Sequence, residues 1–184
     1  MGLSMFLPRM AFLLLLGAAT HVQAQAPKRV REIPVCNLPE QLRVKNYKGG
    51  SCVHASTGSA FNWLGLFDLQ RYWNATYAYG ESYNGLTAKL RKNKIPFYDT
   101  ANGDVNVLDR CTAERRMATI FYYPSHSISL VALERDYAYL LDNNRTGEWI
   151  RVPRDTFIKN WKGYGGVAIV PLIGAPSPPL PWRK

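Results

Sequence analysis

The sequence predicts an α+β fold, with an N-terminal helical lobe followed by a C-terminal antiparallel β-sheet. Three observations carry that expectation. Residues 52–66, 67–78, 86–93 and 105–115 read as helices from apolar spacing and stop signals. From residue 117 the texture changes to short runs rich in β-branched and aromatic residues: MATIFYYP, SISLVALE, YAYLLD, EWIRVP and GGVAIVPL. Turn signals at Pro124, Arg135-Asp136 and 143–147 separate most of them, and a single helical stretch, RDTFIKNWK, precedes the last. Helices first and strands afterwards is the segregated α+β pattern, in contrast to the alternation of parallel α/β chains.

Taken in order, residues 1–24 read as a secretory signal peptide. Arg9 precedes the apolar run AFLLLLGAA, and small residues follow at Ala24 and Ala26, where cleavage is expected. The apolar run is short for a bilayer span. This predicts a secreted or periplasmic protein. Residues 25–43 are basic and proline-punctuated, an extended lead-in without helical period. Residues 44–173 form the expected folded domain, large enough for one core. Residues 174–184, GAPSPPLPWRK, are a proline-rich tail of polyproline II character. There is no internal repeat.

The 184 residues carry 23 Lys and Arg against 13 Asp and Glu, a formal charge of +10, and the signal segment removes only Arg9 from that balance. The basic residues are scattered and not interleaved with stacking aromatics, so nucleic acid is not an expected partner. An exported basic chain meets anionic cell-wall surfaces first. Oligomeric state is not readable from the sequence.

The three cysteines are Cys36, Cys52 and Cys111. In an oxidising compartment an odd number leaves one thiol over. Cys36 in IPVCNLPEQ and Cys111 in DRCTAERR have ordinary disulfide surroundings, and their pairing would leave Cys52 free. The other pairings and a fully reduced state stay open. Cys52 follows Gly49-Gly50-Ser51 and opens the first helix, a position that favours a thiolate.

A thiolate nucleophile needs a base, a group that orients the base, and oxyanion donors. His54 lies two residues after Cys52, about 200° around a helix, and so reads as structural. His126, at the mouth of the SISLVAL strand, is the remaining base beyond the signal segment. Strand, ERDY turn and returning strand bring Asp142 and Asn143 back beside it, either of which could orient the ring. Six residues before Cys52, Asn46 can fold its amide over the helix start and join the Cys52 N–H as oxyanion donor. Lys45, Tyr47 or Lys48 would take that place if the loop ran differently. Two histidines and one thiol do not make a zinc site, so no cofactor or metal is expected.

With these residues in hand, VKN…GGSCVHAS resembles the nucleophile segment of papain-like cysteine peptidases, SHSISLVAL their histidine strand, and YLLDNN the strand delivering Asn or Asp. The likeness extends over residues 44–172. Its cadence is closest to the compact bacterial peptidases that process bacteriocin leaders. The resemblance implies a papain-like fold and a secreted cysteine peptidase that cleaves peptides or proteins through Cys52, His126 and Asp142 or Asn143, with Asn46 at the oxyanion. An Asp in that branch favours Asp142, and the Asn of papain keeps Asn143 open. Val53 stands where papain-type enzymes carry Trp, and Asn46 where they carry Gln. No Trp closely follows Asp142, so Trp149 or Trp161 is the expected shield of the ring. The same residues also suit an amidase or transglutaminase-like enzyme acting on cell-wall peptides, or an inactive papain-like binding module.

Overall fold

A computed structural model describes residues 25, 27–33, 36 and 38–174. Residues 1–24, expected from the sequence to be a signal peptide, and residues 175–184 of the proline-rich tail lie outside the described residues.

The elements run β1 (Lys28–Val30), a 3-10 turn (Glu40–Leu42), α1 (Cys52–Trp63), α2 (Phe67–Thr76), α3 (Tyr83–Lys92), β2 (Phe97–Thr100), α4 (Val105–Ala113), β3 (Ala118–Tyr123), β4 (His126–Leu133), β5 (Tyr137–Leu141), β6 (Trp149–Pro153), α5 (Arg154–Gly163) and β7 (Ala168–Pro171). The seven strands form one sheet in the order β1-β6-β5-β4-β3-β7-β2, and every neighbouring pair is antiparallel. The chain is α+β, with three helices ahead of most of the sheet.

Two strands depart from the sequence reading. The lead-in is part of the folded unit, because Lys28–Val30 pairs with β6 and Ile33, Cys36 and Leu38 are buried in the core. Phe97–Thr100, to which the sequence reading assigned no element, pairs with β7. Both are three- or four-residue edge strands, too short to show a period of two.

Period-two alternation divides the sheet's side chains between two layers. Ile120, Ile128, Leu140 and Val152 pack against Leu108 of α4 and against Phe157 and Trp161 of α5. On the opposite side, Val131, Leu141 and Trp149 pack against Ala60 and Trp63 of α1. Helix α1 is buried along its whole length, which its small residues permit. A Cβ on Gly58 would sit 3.1 Å from Asn74 Oδ1 and 3.2 Å from Val44 Cγ2, so glycine lets α2 approach closely there.

Where α1 meets the centre of the sheet, the contact is polar. Thr57 Oγ1 lies 3.0 Å from Thr119 Oγ1, and Ser56 and Ser129 exchange side-chain-to-carbonyl contacts with this seam. All five of Ser56, Thr57, Thr119, Ser127 and Ser129 are buried. Small hydroxyl residues bring the helix close to the strands while satisfying one another, which fixes helix and sheet in one register. That register places the start of α1 against the start of β4.

Candidate active site

The loop before α1 is shaped by two residues. Gly50 has φ +83°, and a Cβ there would meet the Gly80 nitrogen at a tight 3.1 Å, so a side chain would be strained at this position. Buried Ser51 accepts from the backbone N–H of Tyr47 (3.2 Å) and Lys48 (3.0 Å), closing the loop onto the helix. Cys52 is thereby the first residue of α1, among backbone N–H groups that have no intrahelical partner and at the positive end of the helix dipole.

The Cys52 sulfur lies beside the His126 ring and the main chain of Ser127 and Val53, close enough for each to favour the thiolate, and its thiol is 3.9 Å from the Gly50 carbonyl. His126 is the first residue of β4. Its Nε2 lies 3.0 Å from Asp142 Oδ1, which leaves Nδ1 as the nitrogen for the sulfur. Asp142 follows the last residue of β5, and its Oδ1 also accepts from the Asn144 N–H at 2.9 Å. The β4–β5 pairing of Ser129 with Leu141 explains the delivery: continued two residues toward the open end, the register sets Asn143 opposite Ser127 and brings Asp142 back to the ring.

Burial raises the Cys52 thiol, but the bonds from His126, Ser127 and Val53 together outweigh it and hold the thiol below its ordinary value. The Asp142 hydrogen bond, followed by the Cys52 bond, lifts the His126 imidazole to about 9 against the opposing effect of burial. Burial likewise raises Asp142, and its bonds to His126 and the Asn144 N–H bring it below the usual carboxylate value. With side chains only 16% and 11% exposed, the His126–Asp142 contact is largely withdrawn from water. The lowered thiol and the raised imidazole both shift in the direction of a thiolate–imidazolium pair.

These groups open onto a pocket of about 380 Å³ whose walls include Gly50, Val53, Gly80, Phe121, Tyr123 and Tyr164. The Tyr123 ring lies nearly parallel to the His126 ring, with centroids 6.1 Å apart. Trp149 and Trp161, expected as the shield, are core residues elsewhere. Arg43 stacks 4.1 Å over the Trp149 ring, and Trp161 Nε1 donates to the Val167 carbonyl. Tyr123 was missed because no spacing in the sequence ties an aromatic three residues upstream of a histidine to its ring.

Asn143 does not reach the ring. Its Nδ2 donates to the carbonyls of Cys52 (3.0 Å) and Ser127 (2.8 Å) and to Ser56 Oγ (2.9 Å). Asn46 Nδ2 donates to Asn144 Oδ1 at 3.1 Å, and Asn46 is not among the residues lining the pocket. Asn144, read in the sequence only as loop, has its own Nδ2 3.4 Å from His126 Nε2. Of the alternatives to Asn46, Lys45 and Lys48 are exposed and the Tyr47 hydroxyl donates to the Tyr77 carbonyl. His54 is buried against Trp73 and Tyr77 on the other side of α1. Cys111 is a thiol whose sulfur contacts the Arg116 carbonyl at 3.2 Å, and it is buried in the cluster with α4 and α5 while Cys36 is buried in the cluster on the opposite side of the sheet, so the two do not pair. Among the described residues no group of three or more His, Cys, Asp or Glu is arranged to hold a metal ion.

No protein-family model matches the sequence, and no curated protein matches it. Among solved structures, the chain is similar to a double glycine motif protease from an AMS/PCAT transporter, determined in complex with the leader peptide. The identity is 13% and the TM-score 0.48, over 70% of this chain and 89% of that one.

Proposed function

We propose that this protein is a papain-like cysteine hydrolase that cleaves amide bonds in peptides or proteins, with Cys52 as nucleophile, His126 as acid and base, and Asp142 as the group that orients the imidazole. The single observation that carries this reading is the convergence of three residues: Cys52 and His126 line one pocket and bias each other's ionisation, and His126 Nε2 lies 3.0 Å from Asp142 Oδ1. Three segments remote in sequence supply its members, and a surface histidine has no need of that arrangement.

In the proposed reaction the Cys52 thiolate attacks the carbonyl carbon of the scissile amide, and the carbonyl electrons move to oxygen. The oxyanion is stabilised at the start of α1, where the Cys52 N–H is a donor; Asn46 would add a second only if its Nδ2 turned away from Asn144 toward the pocket. Collapse expels the amine, which takes the proton from His126 Nδ1 and leaves a thioester. His126 then removes a proton from water as the water attacks that thioester, releasing the carboxylic acid and returning the proton to the resting pair. Asp142 keeps its hydrogen bond to Nε2 throughout. Export is part of the proposal, supported by the basic, apolar and small-residue order of residues 9–26.

Two incubations test the substrate class: one with casein, one with purified peptidoglycan. Peptide products from casein that disappear in Cys52→Ala support a peptidase, and release from peptidoglycan alone would move the activity to cell-wall amide bonds. Labelling of Cys52 by the epoxide E-64 that is lost in His126→Ala would confirm the activated thiolate. Full turnover by Cys52→Ala would sink the mechanism. Edman sequencing of the exported protein is expected to begin at residue 25 or 27.

A further inference from the structure

The Asp-Asn-Asn run after β5 carries a second device beside the one that orients the imidazole. We propose that Asn143 is a positioning residue, a clamp that holds the start of α1 against the start of β4 so that the Cys52 sulfur and the His126 ring stay in contact. The proposal rests on reading Cys52 as the nucleophile.

The geometry is specific to this task. The two hydrogens of Asn143 Nδ2 serve three acceptors at 2.8–3.0 Å: the carbonyl of Cys52, the carbonyl of Ser127 and the hydroxyl of Ser56. The first belongs to the residue bearing the sulfur. The second belongs to Ser127, the residue after His126, which lines the pocket beside Cys52. The main-chain carbonyl of Asn143 also accepts from the Asn46 N–H at 2.8 Å, so one residue ties α1, β4 and the pre-cysteine loop together. The other polar links between Ser56 and β4, Ser56 Oγ to the Ser127 carbonyl and Ser129 Oγ to the Ser56 carbonyl, are longer at 3.4 Å each.

A further detail separates a clamp from ordinary packing. Asn143 is 1% exposed, and its Oδ1 is buried with no hydrogen-bond partner. An amide left half-satisfied in a core is unfavourable for stability alone. What the side chain supplies is its donor end, directed at two backbone carbonyls that no other side chain among those described bridges in this way.

The clamp is tested by the pH dependence of Cys52 alkylation with iodoacetamide, resolved from Cys36 and Cys111 by mass spectrometry. This readout needs no substrate. In the wild-type protein the rate at pH 6 should stay within about 3-fold of the rate at pH 9, as for a thiolate already formed. In Asn143→Ala the rate at pH 6 should fall roughly 10-fold or more below that at pH 9, approaching an ordinary thiol, and kcat on casein should drop with KM within about 2-fold. Ser56→Ala removes one acceptor and leaves both carbonyl bonds. It should shift the profile the same way by about 3-fold. Circular dichroism decides whether Asn143→Ala folds, and if it does not, Ser56→Ala carries the decision. A flat wild-type profile with flat profiles in the folded variants overturns the clamp and leaves the nucleophile standing. An ordinary-thiol profile in the wild type overturns both.

Discussion

The two sides of α1 each hold a histidine, and the two imidazoles titrate in opposite directions. On one side His54 is 1% exposed, 5.8 Å from the Trp73 ring centroid and 5.5 Å from that of Tyr77, with its Nδ1 unpartnered. Burial, with a smaller contribution from the Lys89 charge, pushes it down to about 4. On the other side His126 is partly buried too, yet it is lifted to about 9. The difference is the partner. Desolvation opposes the charged ring in both places, and only His126 has a carboxylate at 3.0 Å to outweigh it. One helix thus separates a neutral imidazole that packs from an imidazolium that can exchange protons.

The largest effect expected from breaking this contrast is at the pair itself. His126→Ala should reduce casein hydrolysis by roughly 10³-fold or more while circular dichroism stays native, since removing the base leaves only binding and oxyanion donors. A loss under tenfold would deny the ring its proton-transfer role.

Next in size is Asp142→Ala. It should cost roughly 10- to 10³-fold in kcat, and it should also reshape the pH profile. Wild-type activity is expected to persist from the lowered thiol value up to about 9, where His126 loses its proton. Without the carboxylate the alkaline limb should move down toward the ordinary histidine value, and a limb that stays in place would show that Asp142 does not hold the imidazolium.

A smaller effect, and one confined to stability, is expected on the far side of the helix. The folded-state ionisation of His54 lies below its unfolded value, so its neutral form favours the folded chain. That contribution is complete above about pH 6.5 and is lost as the pH falls toward about 4. His54→Phe should leave kcat within about 2-fold and remove on the order of 2 kcal/mol of acid destabilisation across that window. Urea denaturation at pH 7 and pH 4 measures it, and equal acid sensitivity in both proteins would assign that sensitivity to other groups.

The smallest effect concerns the seam between the two sides. Thr57→Val removes one hydroxyl of the buried Thr57–Thr119 contact and leaves the other without that partner, which should cost about 1–3 kcal/mol in a urea denaturation. A neutral result would mean that apolar packing alone registers the helix on the sheet.

Most of this contrast was legible as residue types. The position of Cys52 at a helix start follows from Gly-Gly-Ser ahead of it, and the 200° offset of His54 follows from helix geometry alone. His126 at the mouth of a strand follows from the run SISLVAL after a proline turn. What could not be read was the choice between Asp142 and Asn143. Adjacent residues at a strand end face opposite ways, so the choice turns on a one-residue register. Asn46 lies in the loop before the cysteine, but its Nδ2 is directed at Asn144, a contact across 98 residues with no local signal.

The sequence by itself determined the order of helices and strands and where along them a thiol, an imidazole and a carboxyl stand. Those are local matters, governed by side-chain period, caps and turns over a few residues. Only the tertiary structure decided that short strands in the lead-in and after α3 close the two edges of the sheet, that Tyr123 rather than a tryptophan lies beside the ring, and which residue of the Asp-Asn-Asn run meets it. Each of these depends on strand pairing and helix packing between segments far apart in the chain, and pairing energies are set by partners that no local window contains.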